Sequence, residues 1–403
     1  MTHSKSIIRM AAMAVAMASA LGAGGAFAQG KEPLKIGIPT ALSGPYGVIS
    51  PEIKRAADFA VAEINAKGGA DGRKVEYRMY DTEGKPDLAR KQAEKLALEG
   101  FNVLTGTISS GEGLAMGPML ERWDAIYVNT FAKSLKLTGD SCVPRLFRVN
   151  QADGHDLAVI KPWLATRKEA KWAVVGLDAA WGREIGGKFK EAATAAGKTI
   201  TGENYPAFGT NDFAPFIQQI MAQNADGVFV ALSGRDAITF LKQAKQFGLL
   251  DKATLGGVSI NLDGNLRAVG DVAKGIWGNI NYSASLDTPD NKRFVAAWKK
   301  FYNGDEPTDL EGEHYVAYQA IFQAVERAKS IKPVDIARAL SGGSFETVFG
   351  KAQIRSGDNQ MVLPNYFGQV TDVGGKMKNV VSLTVAPEQA TPALDGSCKM
   401  GKL

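Results

Sequence analysis

The chain has 403 residues, a formal charge of +5, 45% hydrophobic and 22% charged residues, two cysteines and three histidines. This is an ordinary globular composition with room for about two domains. Its basic residues are interspersed with acidic ones, which excludes the basic block that tracks nucleic-acid phosphates.

Lys5 and Arg9 are followed by an Ala/Met/Leu-rich run and by Ala26-Phe27-Ala28, a small-x-small site. This is the pattern of a secretory signal peptide over 1–28, cleaved after Ala28. Its removal takes away two positive and no negative charges, leaving +3. No later stretch is long and apolar enough to span a bilayer. The only cysteines, Cys142 and Cys398, lie far from the apolar run, so no lipid-anchor site is present.

From Leu34 the pattern alternates. Strand 34–42, turn 43–47, helix 52–66, turn 68–72, strand 74–81 and helix 87–98 lead into a unit of strand 103–106, helix 113–123 and strand 125–128. In a strand-helix-strand unit the two strands run parallel, and ligands bind at their carboxyl ends. Ser109, Ser110 and Gly111 fall on that edge before a helix, whose unpartnered first N–H groups favour a carboxylate. The same serines also fit a plain N-cap role. After 146–149 the alternation starts again, with helix 157–166, strand 172–178, helices 183–196 and 212–223, strand 225–232, helix 236–247 and strand 253–260.

Two rounds of alternation without a low-complexity linker predict an α/β fold of two doubly wound, mainly parallel lobes facing a cleft. A strand within 275–283 and helices 290–302 and 312–330 return to the first lobe. Strands near 351–356, 365–372 and 380–385 serve as hinge and edge strands. Lobe 1 is thus 31–149 plus 280–364, and lobe 2 is 150–279 plus 365–403. In an oxidising compartment two lone cysteines pair, so a Cys142–Cys398 bridge would tie the carboxyl terminus to the first lobe.

The chemistry of common enzymes is missing from the pattern. The sequence has no G-x-S-x-G elbow and no H-E-x-x-H pair, and His3, His155 and His314 are too few and scattered for a metal centre or a triad. The run from Gly182 to Lys188 fits part of a phosphate-binding loop, but Phe189 stands where Ser or Thr would ligate magnesium, inside a predicted helix. Neither a cofactor nor a metal is expected.

Ser43-Gly44-Pro45 after the first strand, Ile64-Asn65-Ala66-Lys67-Gly68-Gly69 at the end of the first helix, and Asp212-Phe213 opening a later helix resemble the leucine/isoleucine/valine-binding proteins. These are periplasmic solute receptors of type I fold that serve ABC importers. The resemblance spans nearly the whole mature chain. It implies a hinged, monomeric receptor that closes on a small carboxylate and delivers it to a membrane permease. The fold alone leaves open a ligand-sensing module of a receptor or regulator, and a small-amide or ester hydrolase is the rival for which no nucleophile-base pair exists.

Carried over by position, the resemblance places the carboxylate-binding serine at Ser110 beside Ser109, and the ligand-contacting loop alanine at Ala132. The cleft aromatic of the second lobe falls at Trp181, and Tyr46 lies on the first loop. The family's threonine next to that alanine is Lys133 here. Its ammonium-binding glutamate is replaced by Ser259, and its second aromatic loop reads Ser233-Gly234-Arg235-Asp236. A buried, unpaired ammonium is costly. Lys133 and Arg235 on cleft loops would therefore favour a carboxylate without an amine, with Tyr46, Phe131 and Trp181 stacking on an aromatic ring. The competing expectation is that both cations are solvated and that Asp236 or Glu313 holds an ammonium.

Overall fold

The computed structural model describes residues 31–403. The expected signal peptide and its cleavage after Ala28 lie outside the described residues.

The amino-terminal half opens with β1 (Leu34–Thr40), α1 (Ser50–Ala66), β2 (Val75–Asp81), α2 (Pro86–Leu98), β3 (Val103–Thr105), α3 (Ser110–Met116), β4 (Ile126–Asn129) and β5 (Leu146–Arg148). These strands form an all-parallel sheet of order β2-β1-β3-β4-β5. A second round follows with α4 (Asp153–Ala165), β6 (Lys171–Gly176), α5 (Ala180–Ala195), β7 (Thr199–Asn204), α6 (Ala214–Ala222), β8 (Gly227–Ala231), α7 (Gly234–Gln246), β9 (Thr254–Val258), α8 (Asp263–Val269) and β10 (Trp277–Ile280). The chain then adds α9 (Pro289–Phe301), α10 (Asp309–Ala328), α11 (Pro333–Leu340), the hairpin β11 (Ser344–Thr347) and β12 (Gly350–Gln353), β13 (Asn365–Val373), β14 (Lys376–Val385) and α12 (Pro387–Ala390). The second sheet has the order β14-β13-β10-β9-β8-β6-β7, with β13 antiparallel to both of its neighbours and the other pairs parallel.

The central parallel strands β3, β4 and β8 are buried on both faces, while the edge strands β2, β7 and β14 are partly exposed. Helices α9 and α10 return to the first sheet because they carry its missing aromatic core. Phe294 stacks on Tyr315 with ring centroids 4.4 Å apart, and Phe59 of α1 meets Trp298 at 5.0 Å. In the second lobe Phe189 of α5 stacks on Phe229 of β8 at 4.0 Å. The partial phosphate-loop motif lies inside α5, with Lys188 paired to Glu191.

Two of the sequence signatures are structural devices. Asn65 clamps the end of α1 to β2, donating to the Val75 carbonyl at 2.9 Å and accepting its N–H at 2.8 Å. Ser43 donates to Asp81 at 2.6 Å, folding the loop after β1 so that Gly44–Tyr46 forms a short 3-10 turn.

Several elements depart from the sequence-based expectation. Strand β7 and helices α8 and α11 were not predicted. β7 reads TITGEN with little burial, and the two helices are short. Helices α3, α4, α5 and α7 start two to four residues earlier than predicted, because their first turns carry Ser, Gly or Asp and lack the apolar spacing that marks a helix interior.

After β14 the chain crosses back. Pro392 packs on Gly154 of α4, Asp395 lies over Gly139, and Cys398 is bonded to Cys142 with Cα atoms 5.6 Å apart. The bridge spans 256 positions, and such crosslinks restrict the unfolded chain. Replacing both cysteines by serine should lower stability by about 2–4 kcal/mol in chemical denaturation. Peptide mapping without reduction should show one fragment containing both residues.

Candidate functional site

Both sheets change winding direction at one point, between β1 and β3 in the first and between β6 and β8 in the second. The carboxyl ends beside these points carry the loops to Tyr46, Ser109 to Gly111, Leu177 to Trp181, and Ser233. The neighbouring β4 and β9 supply Phe131, Lys133 and Ser259. All of these residues line one cavity of about 370 Å³ between the lobes, at the small end of the range for ligand pockets.

Of the residues singled out by sequence, Tyr46, Ser109, Ser110, Phe131, Lys133, Trp181, Ser233 and Ser259 meet at this cavity. Phe208, Ile108, Leu177 and Lys85 also line it. Phe208 was missed because it follows the unpredicted β7. Its ring meets that of Tyr46 across the cleft at 4.8 Å, with an interplanar angle of 44°. Gly84, at φ +73, permits this approach, since a Cβ there would lie 2.9 Å from the Tyr46 ring.

Three helices point their amino-terminal turns at the cavity: α3 through Ser110 and Gly111, α5 through Ala180 and Trp181, and α7 through its preceding Ser233. Their free N–H groups give this apolar space a positive field. Ser109 precedes α3, but the groups it offers are divided. Its N–H is taken by Glu112 at 2.7 Å, while its side chain lies on the cavity wall. Ser110 Oγ accepts the Ser134 N–H at 3.1 Å and keeps its own proton to donate.

Ser233 and Ser259 are 4% and 1% exposed, and among the described residues neither hydroxyl has a partner. Ser259 adopts φ +60, a left-handed backbone that non-glycine residues rarely take. Asn279 accepts its N–H and Asn265 donates to its carbonyl, both at 3.0 Å. Trp181 donates its indole N–H to the buried Asp153 at 2.9 Å, which anchors the ring. Burial, with Glu184 and Asp156 nearby, pushes the Asp153 carboxyl well above the ordinary range.

Three expectations need correction. Lys133 reaches the cavity wall but is no free cation. Its ammonium is 2% exposed and donates to both Asp156 oxygens, at 3.0 and 2.9 Å, and to Asn281 at 2.9 Å. All three of its protons are thereby spoken for. Arg235 lies in the first turn of α7, against Gly209, and does not line the cavity, because α7 begins at Gly234 and turns the side chain away. Ala132 is buried among Leu137, Tyr127 and their neighbours, with its backbone held by Asn129, and it too is absent from the lining.

No carboxylate lines the cavity among the described residues. Asp236 accepts the Gly209 N–H at 2.9 Å, and Glu313 accepts from Asn281 at 3.0 Å beneath the floor. Neither stands where it would meet an ammonium in the cavity. Burial raises the Glu313 carboxyl to about 8, against the opposing pull of Lys133.

A model for the family described as "Periplasmic binding protein" matches residues 33–376. Leu/Ile/Val-binding protein homolog 8 of Brucella suis is 27% identical over 389 residues, covering 91% of this chain and 94% of that protein. Among solved structures, a solute-binding protein of an ABC transporter from Rhodopseudomonas palustris BisB5, with 3,4-dihydroxybenzoic acid, has a TM-score of 0.81 at 24% identity, covering 88% of this chain and 98% of that one. Another from R. palustris, with benzoate, gives 0.81 at 24% identity, covering 91% and 99%. These two likenesses establish the fold.

Two outcomes follow from the cavity floor. Lys133→Ala should cost about 3–5 kcal/mol in denaturant melts, because Asp156 is left buried and unpaired; the same variant bound to ligand with unchanged stability would contradict this placement. Glu313 binds a proton in the folded state that the unfolded chain releases near the ordinary value of 4.5. Its contribution is complete below that value and is lost as pH rises through about 8. Glu313→Gln should flatten the fall in melting temperature between about pH 5 and 8.

Proposed function

Because the chain belongs to the periplasmic binding protein family, we propose that it is the solute receptor of an ABC importer, exported with cleavage after Ala28, acting as a monomer and handing an aromatic or related organic acid to its permease. Among the described residues no helix is long and apolar enough to cross a membrane. The observation that carries the choice of ligand is the composition of the cavity wall among the described residues: four aromatic rings, four serines, three helix amino termini and no carboxylate.

An aromatic acid matches this wall part by part. Its ring takes the faces of Tyr46, Phe131, Trp181 and Phe208. Its carboxylate takes the serine hydroxyls and the free helix N–H groups, which bind an anion without a cation. An α-amino acid would bring in an ammonium that meets hydroxyls, backbone carbonyls and ring faces but no carboxylate to pair its charge, at a cost in desolvation. The benzoate and dihydroxybenzoate bound by the two R. palustris proteins agree with this reading. The name of the Brucella suis relative favours a branched-chain amino acid as the second reading.

Titration calorimetry with benzoate, 4-hydroxybenzoate and leucine decides between them. The aromatic acids should bind one per protein, and Trp181→Ala should weaken them by about tenfold or more through loss of a central aromatic contact. Tight binding of leucine with no response to either benzoate would overturn the assignment.

A further inference from the structure

The two lobes touch across the cleft at its rim as well as around the cavity. On one side Glu52 of α1 pairs with Arg267 of α8, and Asp263 and Asp309 each accept the other's backbone N–H, at 2.9 and 3.3 Å. On the other side a carboxylate of lobe 2 crosses over. Glu184 of α5 accepts the Ser134 hydroxyl at 2.5 Å with one carboxylate oxygen and the Leu135 N–H at 2.8 Å with the other.

The place of that contact sets it apart. Glu184 follows Trp181 by three residues on α5, so both side chains leave the same face of the helix, one toward the cavity and one toward lobe 1. Ser134 caps the short 3-10 turn Leu135–Thr138, its hydroxyl accepting the Lys136 N–H at 3.3 Å while donating to Glu184. The Ser134 N–H donates to Ser110 Oγ at 3.1 Å, and Ser110 faces the cavity. An unbroken run of hydrogen bonds therefore joins a lobe 2 carboxylate, through Ser134, to a hydroxyl on the ligand-facing wall.

We infer that Glu184 is the latch of the cleft, a positioning residue that holds the lobes closed and aligns Ser110 through Ser134, so that it sets how long a ligand stays bound without touching it. This rests on the solute-receptor reading above but not on which solute is bound. With the lobes apart, the carboxylate, the Ser134 hydroxyl and the Leu135 N–H are all hydrated. Closing exchanges those waters for two charge-assisted hydrogen bonds, which are stronger than neutral ones. Bonds made only in the closed state act on escape of the ligand and leave its first encounter with the open cleft unaffected.

The test is the dissociation rate, followed by stopped-flow tryptophan fluorescence, using 4-hydroxybenzoate and leucine as probes. Glu184→Ala should speed dissociation about tenfold, with association changed less than about twofold and with the melting temperature of the ligand-free protein unchanged. Glu184→Gln should recover part of the loss, since its amide oxygen still accepts one hydrogen bond, and Ser134→Ala should resemble Glu184→Ala. An unchanged dissociation rate, or a loss matched by an equal destabilisation of the ligand-free protein, would overturn the latch. If the wild type binds leucine and neither benzoate, the aromatic-acid reading falls while the latch is judged on leucine. If it binds no probe, spin-label distances across the cleft decide: Glu184→Ala should enrich the open population, and an identical distribution overturns the inference.

Discussion

The buried ion pair between Lys133 and Asp156 is the constraint around which the junction of the two lobes is built. Lys133 follows β4 in the first lobe, and Asp156 lies in α4, the first helix of the second. Two charges removed from water cost several kcal/mol each unless their remaining hydrogen bonds are met. The chain meets them with segments that are remote in sequence. Asn281, beyond β10, accepts from Lys133 and donates to Glu313, and Asn365, at the start of β13, donates to Asp156 at 3.1 Å. Gln151 donates to the carbonyls of Asn281 and Pro364 at 3.0 and 3.1 Å. The three strand crossings between the lobes are thus tied to one polar knot, and the cavity sits directly on it.

That arrangement spends the Lys133 ammonium inside the protein and leaves Lys85, paired with Glu83, as the other lysine on the cavity wall among the described residues. The Lys133 ammonium is neutralised by Asp156, and the amino-terminal turns of α3, α5 and α7 add their positive ends to the charges of Lys85 and the buried Arg148. Fixed backbone dipoles do not reorient when a ligand enters, and they leave the aromatic walls dry. Closure by rim contacts is the hinge motion expected of two lobes joined by several strands.

Much of the site was legible because one topological rule locates it. Ligands of doubly wound sheets sit beyond the carboxyl ends of strands, so Ser109 and Ser110 could be picked out as residues that follow an apolar run, whereas Tyr46, Trp181 and Ser259 were placed by the resemblance to the leucine/isoleucine/valine-binding proteins. Phe208 was hidden because β7 is polar and lies at a sheet edge, where the usual alternation is absent. Lys133 and Arg235 were misjudged for a different reason. A charged residue beside a strand end looks the same whether its partner is a ligand, water or a carboxylate elsewhere in the chain. Asp156 stands 23 residues from Lys133, and Asn281 stands 148 away.

The sequence by itself determined the α/β alternation, the two lobes and the cysteine pair. These follow from local patterns: apolar runs of strand length, helical spacing, turn residues and the scarcity of cysteine. Only the tertiary structure decided which charges are spent internally, where each helix begins relative to the cavity, and which side chains cross between the lobes. Each of those depends on distances between segments far apart in the chain, set by how two sheets and their returning helices pack, and no local pattern encodes them.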